Sequence, residues 1–111
     1  MTLNEIKDEY LSYEKKRLAN VNFISHKSVM NKYICPIIGN KDVKYIENSD
    51  IILILEYRMS FKHTVLSISA FYQIIRDIFK YLVSKGYLDT DLTKNHVFYS
   101  RISGNINYDY E

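Results

Sequence analysis

Between Ser67 and Lys85, Ile68, Phe71, Ile75, Ile78 and Leu82 recur at alternating steps of three and four, the spacing of one buried face of a helix. Ser69, Tyr72, Gln73, Arg76 and Lys80 form a second stripe at similar spacing. That stripe offers hydroxyls, an amide, a guanidinium and an ammonium, groups suited to phosphate oxygens and base edges and equally at home in water. The helix is predicted to stop at Lys85-Gly86, a basic last turn followed by glycine at the C′ position.

Three more helices are predicted upstream. Thr2 and Glu5 have the spacing of a capping box, and Leu3, Ile6, Tyr10 and Tyr13 carry an apolar stripe to about Arg17. Ser25 is the candidate cap of a second helix through Val29, Met30, Tyr33 and Ile34. There Pro36 kinks or ends the ladder, and Gly39 permits a left-handed stop. A polar connection follows over residues 40 to 47, with Val43 and Ile46 as apolar anchors. Asn48 or Ser49 then caps a third helix from Asp50 to about Met59, with Ile51, Ile52 and Leu55 inward and Leu53 a further inward candidate. The run Ile51 to Leu55 also suits a buried strand, but it is capped, continues through Glu56 and Arg58, and has no second strand to pair with. After Leu88 the periodicity dissolves, so residues 1–88 read as one helical domain and 89–111 as a linker, with Gly104-Asn105 a turn signal.

Composition agrees with this reading. The chain has 111 residues, 47% of them hydrophobic, with three Gly and one Pro, which suits a packed helical domain and not disorder or a turn-rich β fold. Cys35 sits in the run Tyr33-Ile34-Cys35-Pro36-Ile37-Ile38 and reads as a small buried hydrophobe. A single cysteine fits a reducing compartment, and neither a secretion signal nor an apolar run of membrane-spanning length is visible, so a soluble intracellular protein is expected.

The net charge is only +2, so its distribution matters more than its sum. Residues 1–25 balance four bases against four acids, whereas residues 26–45 carry Lys27, Lys32, Lys41 and Lys44 against Asp42 alone. The positive potential is local, as binding to a nucleic-acid backbone requires. Nothing points to catalysis: the three histidines are dispersed, and neither a phosphate-cradling glycine loop nor a carboxylate pair is present, so no metal and no cofactor are expected.

Five elements appear in order: Tyr33 with Ile34-Cys35-Pro36-Ile37-Ile38-Gly39; Val43 with Ile46; Ser49-Asp50-Ile51; Arg76-Asp77-Ile78-Phe79-Lys80-Tyr81; and Gly86-Tyr87-Leu88. Together, over residues 2 to 92, they resemble the core-binding domain of tyrosine recombinases, the phage and transposon integrases. That pattern runs from a tyrosine through Ile-x-Pro-x-x-Gly, two apolar anchors and an Asp-Ile helix start to an Arg-x-x-Phe helix closed by Gly-x-Ile. Two positions depart from it. Ser25-His26 stands where Ser-Thr often opens the second helix, and Asp91-Leu92 stands where Asn-Pro often gives a rigid exit turn.

The resemblance implies an all-α, four-helix SAM-like bundle whose second and fourth helices face double-stranded DNA. Carried over by position, it selects Lys27, Ser28 and Lys32 from the second helix and Ser69, Tyr72, Gln73, Arg76 and Lys80 from the fourth. The lysines suit phosphate neutralisation, the serines neutral hydrogen bonds, and Arg76 and Gln73 guanine and adenine edges. The competing roles are a salt bridge from Arg76 to Asp77 or Asp50, and burial of the Tyr72 ring between helices. Recombinase chemistry needs a tyrosine nucleophile with a His-x-x-Arg element, and His26, His63 and His96 are followed at that distance by Val29, Leu66 and Tyr99. The chain is therefore expected to be a non-catalytic fragment of a mobile-element recombinase. It would be cytoplasmic, nucleoid-associated when bound, and partnered by a catalytic domain of the parent chain and by other protomers on DNA. The alternative is a helical protein-protein interaction module, with Tyr57, Phe61 or exposed tyrosines docking a partner.

Overall fold

The computed structural model describes residues 1–94, and these are all-α: helices joined by short turns, with no strand among them and one isolated bridge between Thr2 and Asp42. The chain divides into two compact units, Met1–Ile46 and a second beginning at Glu47. No helix among the described residues is long and apolar enough to cross a membrane.

In the first unit, α1 (Leu3–Arg17) starts on the predicted capping box. The Glu5 N–H donates to Thr2 Oγ1 at 3.3 Å and the Thr2 N–H to Glu5 Oε1 at 2.8 Å. Its buried face is Leu3, Ile6, Tyr10, Leu11 and Glu14; Tyr13, expected inward, is exposed. The next helix, α2 (Asn20–Val29), begins five residues before the expected cap. Ser25 lies inside it, its hydroxyl donating to the Val21 carbonyl at 3.2 Å, and Ala19 at the N-cap supplies no side-chain acceptor.

The helical path then widens into a π turn over Met30–Ile34 and resumes as α3 (Cys35–Ile38). Pro36 explains the widening. It has no N–H for the Lys32 carbonyl four residues back and its ring crowds that carbonyl, so the ladder slips to an i→i−5 bond from the Cys35 N–H to the Met30 carbonyl. Pro36 thus opens a new α turn instead of ending the helix. Gly39 is right-handed, with φ −60°, so the expected left-handed stop is replaced by a close approach. The Asn4 N–H donates to the Gly39 carbonyl at 2.9 Å, and a Cβ at Gly39 would fall on the Asn4 side chain. Val43 and Ile46 are buried anchors, as expected.

The second unit holds α4 (Asn48–Met59) and α5 (Val65–Ser84). The cap of α4 is one residue earlier than predicted: the Glu47 N–H donates to Asp50 Oδ2 at 2.8 Å. Ile51, Ile54 and Leu55 are buried and Ile52 half-buried, whereas Leu53 points outward. Leu53 and Ile54 exchange the roles a strand-like alternation would assign them, because the helix turns 100° per residue. In α5, Thr64 and Ser67 exchange capping hydrogen bonds at 3.1 and 2.8 Å. The predicted face of Ile68, Phe71, Ile75, Ile78 and Leu82 is buried, widened by Tyr72, Ile74, Phe79 and Tyr81. Gly86, at φ 79°, ends the helix in the left-handed turn the sequence predicts. Past it, Leu92–Lys94 forms a 3-10 turn with Thr93 buried. The expected linker is thus ordered as far as Lys94, and its remainder, including Gly104-Asn105, lies outside the described residues.

Candidate nucleic-acid interface

In the first unit the chemistry is cationic. From Lys15 to Lys41 the chain carries Lys15, Lys16, Arg17, Lys27, Lys32 and Lys41 and not one acid. The last turn of α1 holds the first three of these, where they complement the C-terminal helix dipole. Arg17 is committed elsewhere: its Nε and Nη2 donate to the two oxygens of buried Glu14 at 2.8 and 2.9 Å. His26 completes that cluster, with Nδ1–H donating to the Asn22 carbonyl at 2.9 Å and Nε2 3.4 Å from Glu14 Oε2. Lys15, Lys16, Lys27 and Lys32 all remain exposed, and the carboxylate of buried Glu14 is taken by Arg17.

Lys27 and Ser28, two of the residues selected from sequence, are exposed on α2. Lys32 is exposed on the π turn, its ammonium 5.2 Å from the Tyr33 ring centroid. Cys35, at the start of α3, is half-buried. Burial pushes its thiol above the ordinary range against a smaller opposing pull from Lys7, which fits an inert packing role.

In the second unit the polar stripe of α5 survives with one loss. Ser69, Gln73 and Lys80 are exposed and Arg76 is half-buried, at the i, i+4, i+7, i+11 spacing of one helix ridge. Tyr72 leaves that ridge: it is 8% exposed, and its hydroxyl donates to the Thr93 carbonyl at 2.8 Å. A buried, satisfied phenol has no hydroxyl to give to DNA, so Tyr72 is removed from the candidate interface. The Gln73 amide donates to Asp77 Oδ1 at 3.2 Å. Arg76 forms no ion pair with Asp50 or Asp77 among the described residues, and its buried Nε has no hydrogen-bond acceptor. An unanswered donor on a half-buried guanidinium is the feature of this ridge best suited to an incoming anion.

Sequence reasoning missed the contribution of Lys15 and Lys16, because the charge balance over residues 1–25 averages them against acids in the first turns of α1. It also missed the outward ridge of α2, where Val21 and Ile24 are 70% and 56% exposed. Compared with known proteins, the chain matches no family model, no curated protein and no solved structure.

Proposed function

We propose that the chain is a DNA-binding domain of the core-binding kind found in tyrosine recombinases. In this role it holds and positions a duplex for strand exchange carried out by a catalytic domain and by other protomers. The observation that carries the reading is the acid-free stretch from Lys15 to Lys41, with Lys15, Lys16, Lys27 and Lys32 exposed and Arg17 spent on Glu14. The exposed ridge of Ser69, Gln73 and Lys80, with Arg76 beside it, supports the same reading with groups that pair with phosphates and base edges. So does the ordered set of motifs from Tyr33 to Leu88. Binding needs no cofactor or metal, and a cytoplasmic, nucleoid-associated location goes with the role.

The test is fluorescence anisotropy of a labelled duplex of about 25 base pairs at low and physiological salt. About four phosphate contacts give a fall of roughly a hundredfold between 50 and 200 mM salt. Lys27→Ala and Lys32→Ala each reduce the salt slope by about one. Absence of binding at low salt by folded protein overturns the reading. A second reading, a protein-interaction module, is favoured by one observation: Leu53 and Tyr57 on α4 and Phe61 in the turn after it are exposed, the last two rings meeting edge to face with centroids 5.3 Å apart. It predicts association insensitive to salt.

A further inference from the structure

We infer that α2 enters the major groove and reads thymine methyl groups through Val21 and Ile24. The inference rests on the DNA-binding reading and adds a base preference to it.

Val21, Ile24 and Ser28 stand at the i, i+3, i+7 positions of α2, opposite the buried side of His26 and Val29. At 70% and 56% exposure, the two branched residues are, with Tyr45 at 67%, the most solvent-facing large hydrophobic residues of the first unit. Whatever covers this ridge must satisfy two demands. It must be negatively charged, because Lys27 and Lys32 flank the ridge and no acid lies between Lys15 and Lys41. It must also offer apolar spots of methyl size along its floor.

The major groove meets both demands, with phosphate walls and a floor on which thymine alone presents a methyl group. Its width of about 12 Å admits a helix, and a helix of ten residues spans about 15 Å of it. Asn20 and Asn31, both exposed on α2 and the π turn, add amides of the type that pairs with adenine N6 and N7. The ridge therefore carries an A·T preference, with the methyl as its discriminating feature.

The experiment compares two alternating duplexes of about 24 base pairs, adenine-thymine and adenine-uracil, which differ in the 5-methyl group and keep the same pairing edges. The 111-residue chain is titrated into each at about 50 mM salt, beside Val21→Ala/Ile24→Ala and Lys27→Ala. Each methyl buried is worth about fourfold in affinity, so the thymine duplex binds about four- to fifteenfold tighter than the uracil duplex. The double alanine variant abolishes that ratio while keeping its circular dichroism and salt dependence, since alanine favours helix at both positions. Lys27→Ala weakens both duplexes alike and keeps the ratio. Equal binding of the two duplexes by wild-type protein overturns the inference and leaves the DNA-binding reading standing. A ratio that survives in the double variant overturns the assignment to Val21 and Ile24. Binding to neither duplex, or binding by this ridge to anionic phosphatidylserine vesicles alone, overturns both.

Discussion

Tyr72 donates its hydroxyl hydrogen to the main-chain carbonyl of Thr93, 21 residues further on, at 2.8 Å. The bond pins a buried turn against α5, and Asp91 seconds it by accepting from both the N–H and the hydroxyl of Thr93 through Oδ1. Tyr72→Phe leaves a buried carbonyl without a donor, at a cost of about 1 to 2 kcal/mol. Amide exchange should accelerate across Leu92–Lys94 and stay slow in the middle of α5. On the proposed DNA-binding reading, the variant matches the wild type in anisotropy. A loss of affinity equal to that of Gln73→Ala would return Tyr72 to the interface.

Gly39 and Gly86 are required for different reasons, and substitutions separate them. Gly39 is right-handed, so alanine there is harmful only because its Cβ meets the Asn4 side chain and the Cys35 carbonyl. Overpacking of this kind costs about 1 to 3 kcal/mol. Gly86 has open space around it but φ 79°, so alanine there pays about 1 kcal/mol of backbone strain. Urea denaturation of paired variants checks both: Asn4→Ala recovers part of the Gly39→Ala loss, and Gly86→Asn is milder than Gly86→Ala.

The legible parts of this chain are those where a local rule and tertiary packing agree. The Thr2-Glu5 box, the Gly86 stop and the Ile68-to-Leu82 face are set by spacing alone. Where one residue serves a partner distant in sequence, the pattern misleads. Glu14 is buried with Arg17 paired to both of its oxygens, and on that face of α1 Leu11 lies in and Tyr13 out. The start of α2 is silent because Ala19 makes no cap, and Ser25, a good cap by composition, serves an internal hydrogen bond. Of the eight sequence-selected site residues, Lys27, Ser28, Lys32, Ser69, Gln73 and Lys80 are exposed, since long or small polar side chains have no reason to leave water. Tyr72 was illegible because a phenol suits either environment, and its partner sits where periodicity had ended.

Asp42 couples the first unit to pH. Its Oδ1 accepts the Lys44 N–H at 3.0 Å, and with the chain's N-terminal ammonium beside Oδ2 this holds the carboxyl below the usual carboxylate value. A group held lower in the folded state stabilises it above the unfolded value of about 4, and that contribution is lost as pH falls through the folded value. Asp42→Asn keeps an acceptor for Lys44 and removes the titration. Thermal melts from about pH 5 to about pH 3 should therefore show a shallower acid loss in the variant than in the wild type. Glu5, lowered mainly by the Thr2 backbone N–H, adds to the same limb, so Glu5→Gln/Asp42→Asn flattens it further.

On the proposed DNA-binding reading, Arg76 sets binding against stability within one side chain. Its Nε is buried without an acceptor, while Asp50 caps the Glu47 N–H and Asp77 takes the Gln73 amide. Methionine keeps the length of the stem and removes the unanswered donor. Arg76→Met should therefore leave stability unchanged or raise it by up to about 1 kcal/mol in urea denaturation without DNA. On that reading the same variant loses about tenfold in DNA affinity, a larger effect than Lys80→Ala, because Lys80 is an exposed point charge. Arg76→Lys falls between, restoring charge without the guanidinium fork. Destabilisation of Arg76→Met by more than about 1 kcal/mol would make the guanidinium a structural group, and the interface on α5 would then rest on Ser69, Gln73 and Lys80 alone.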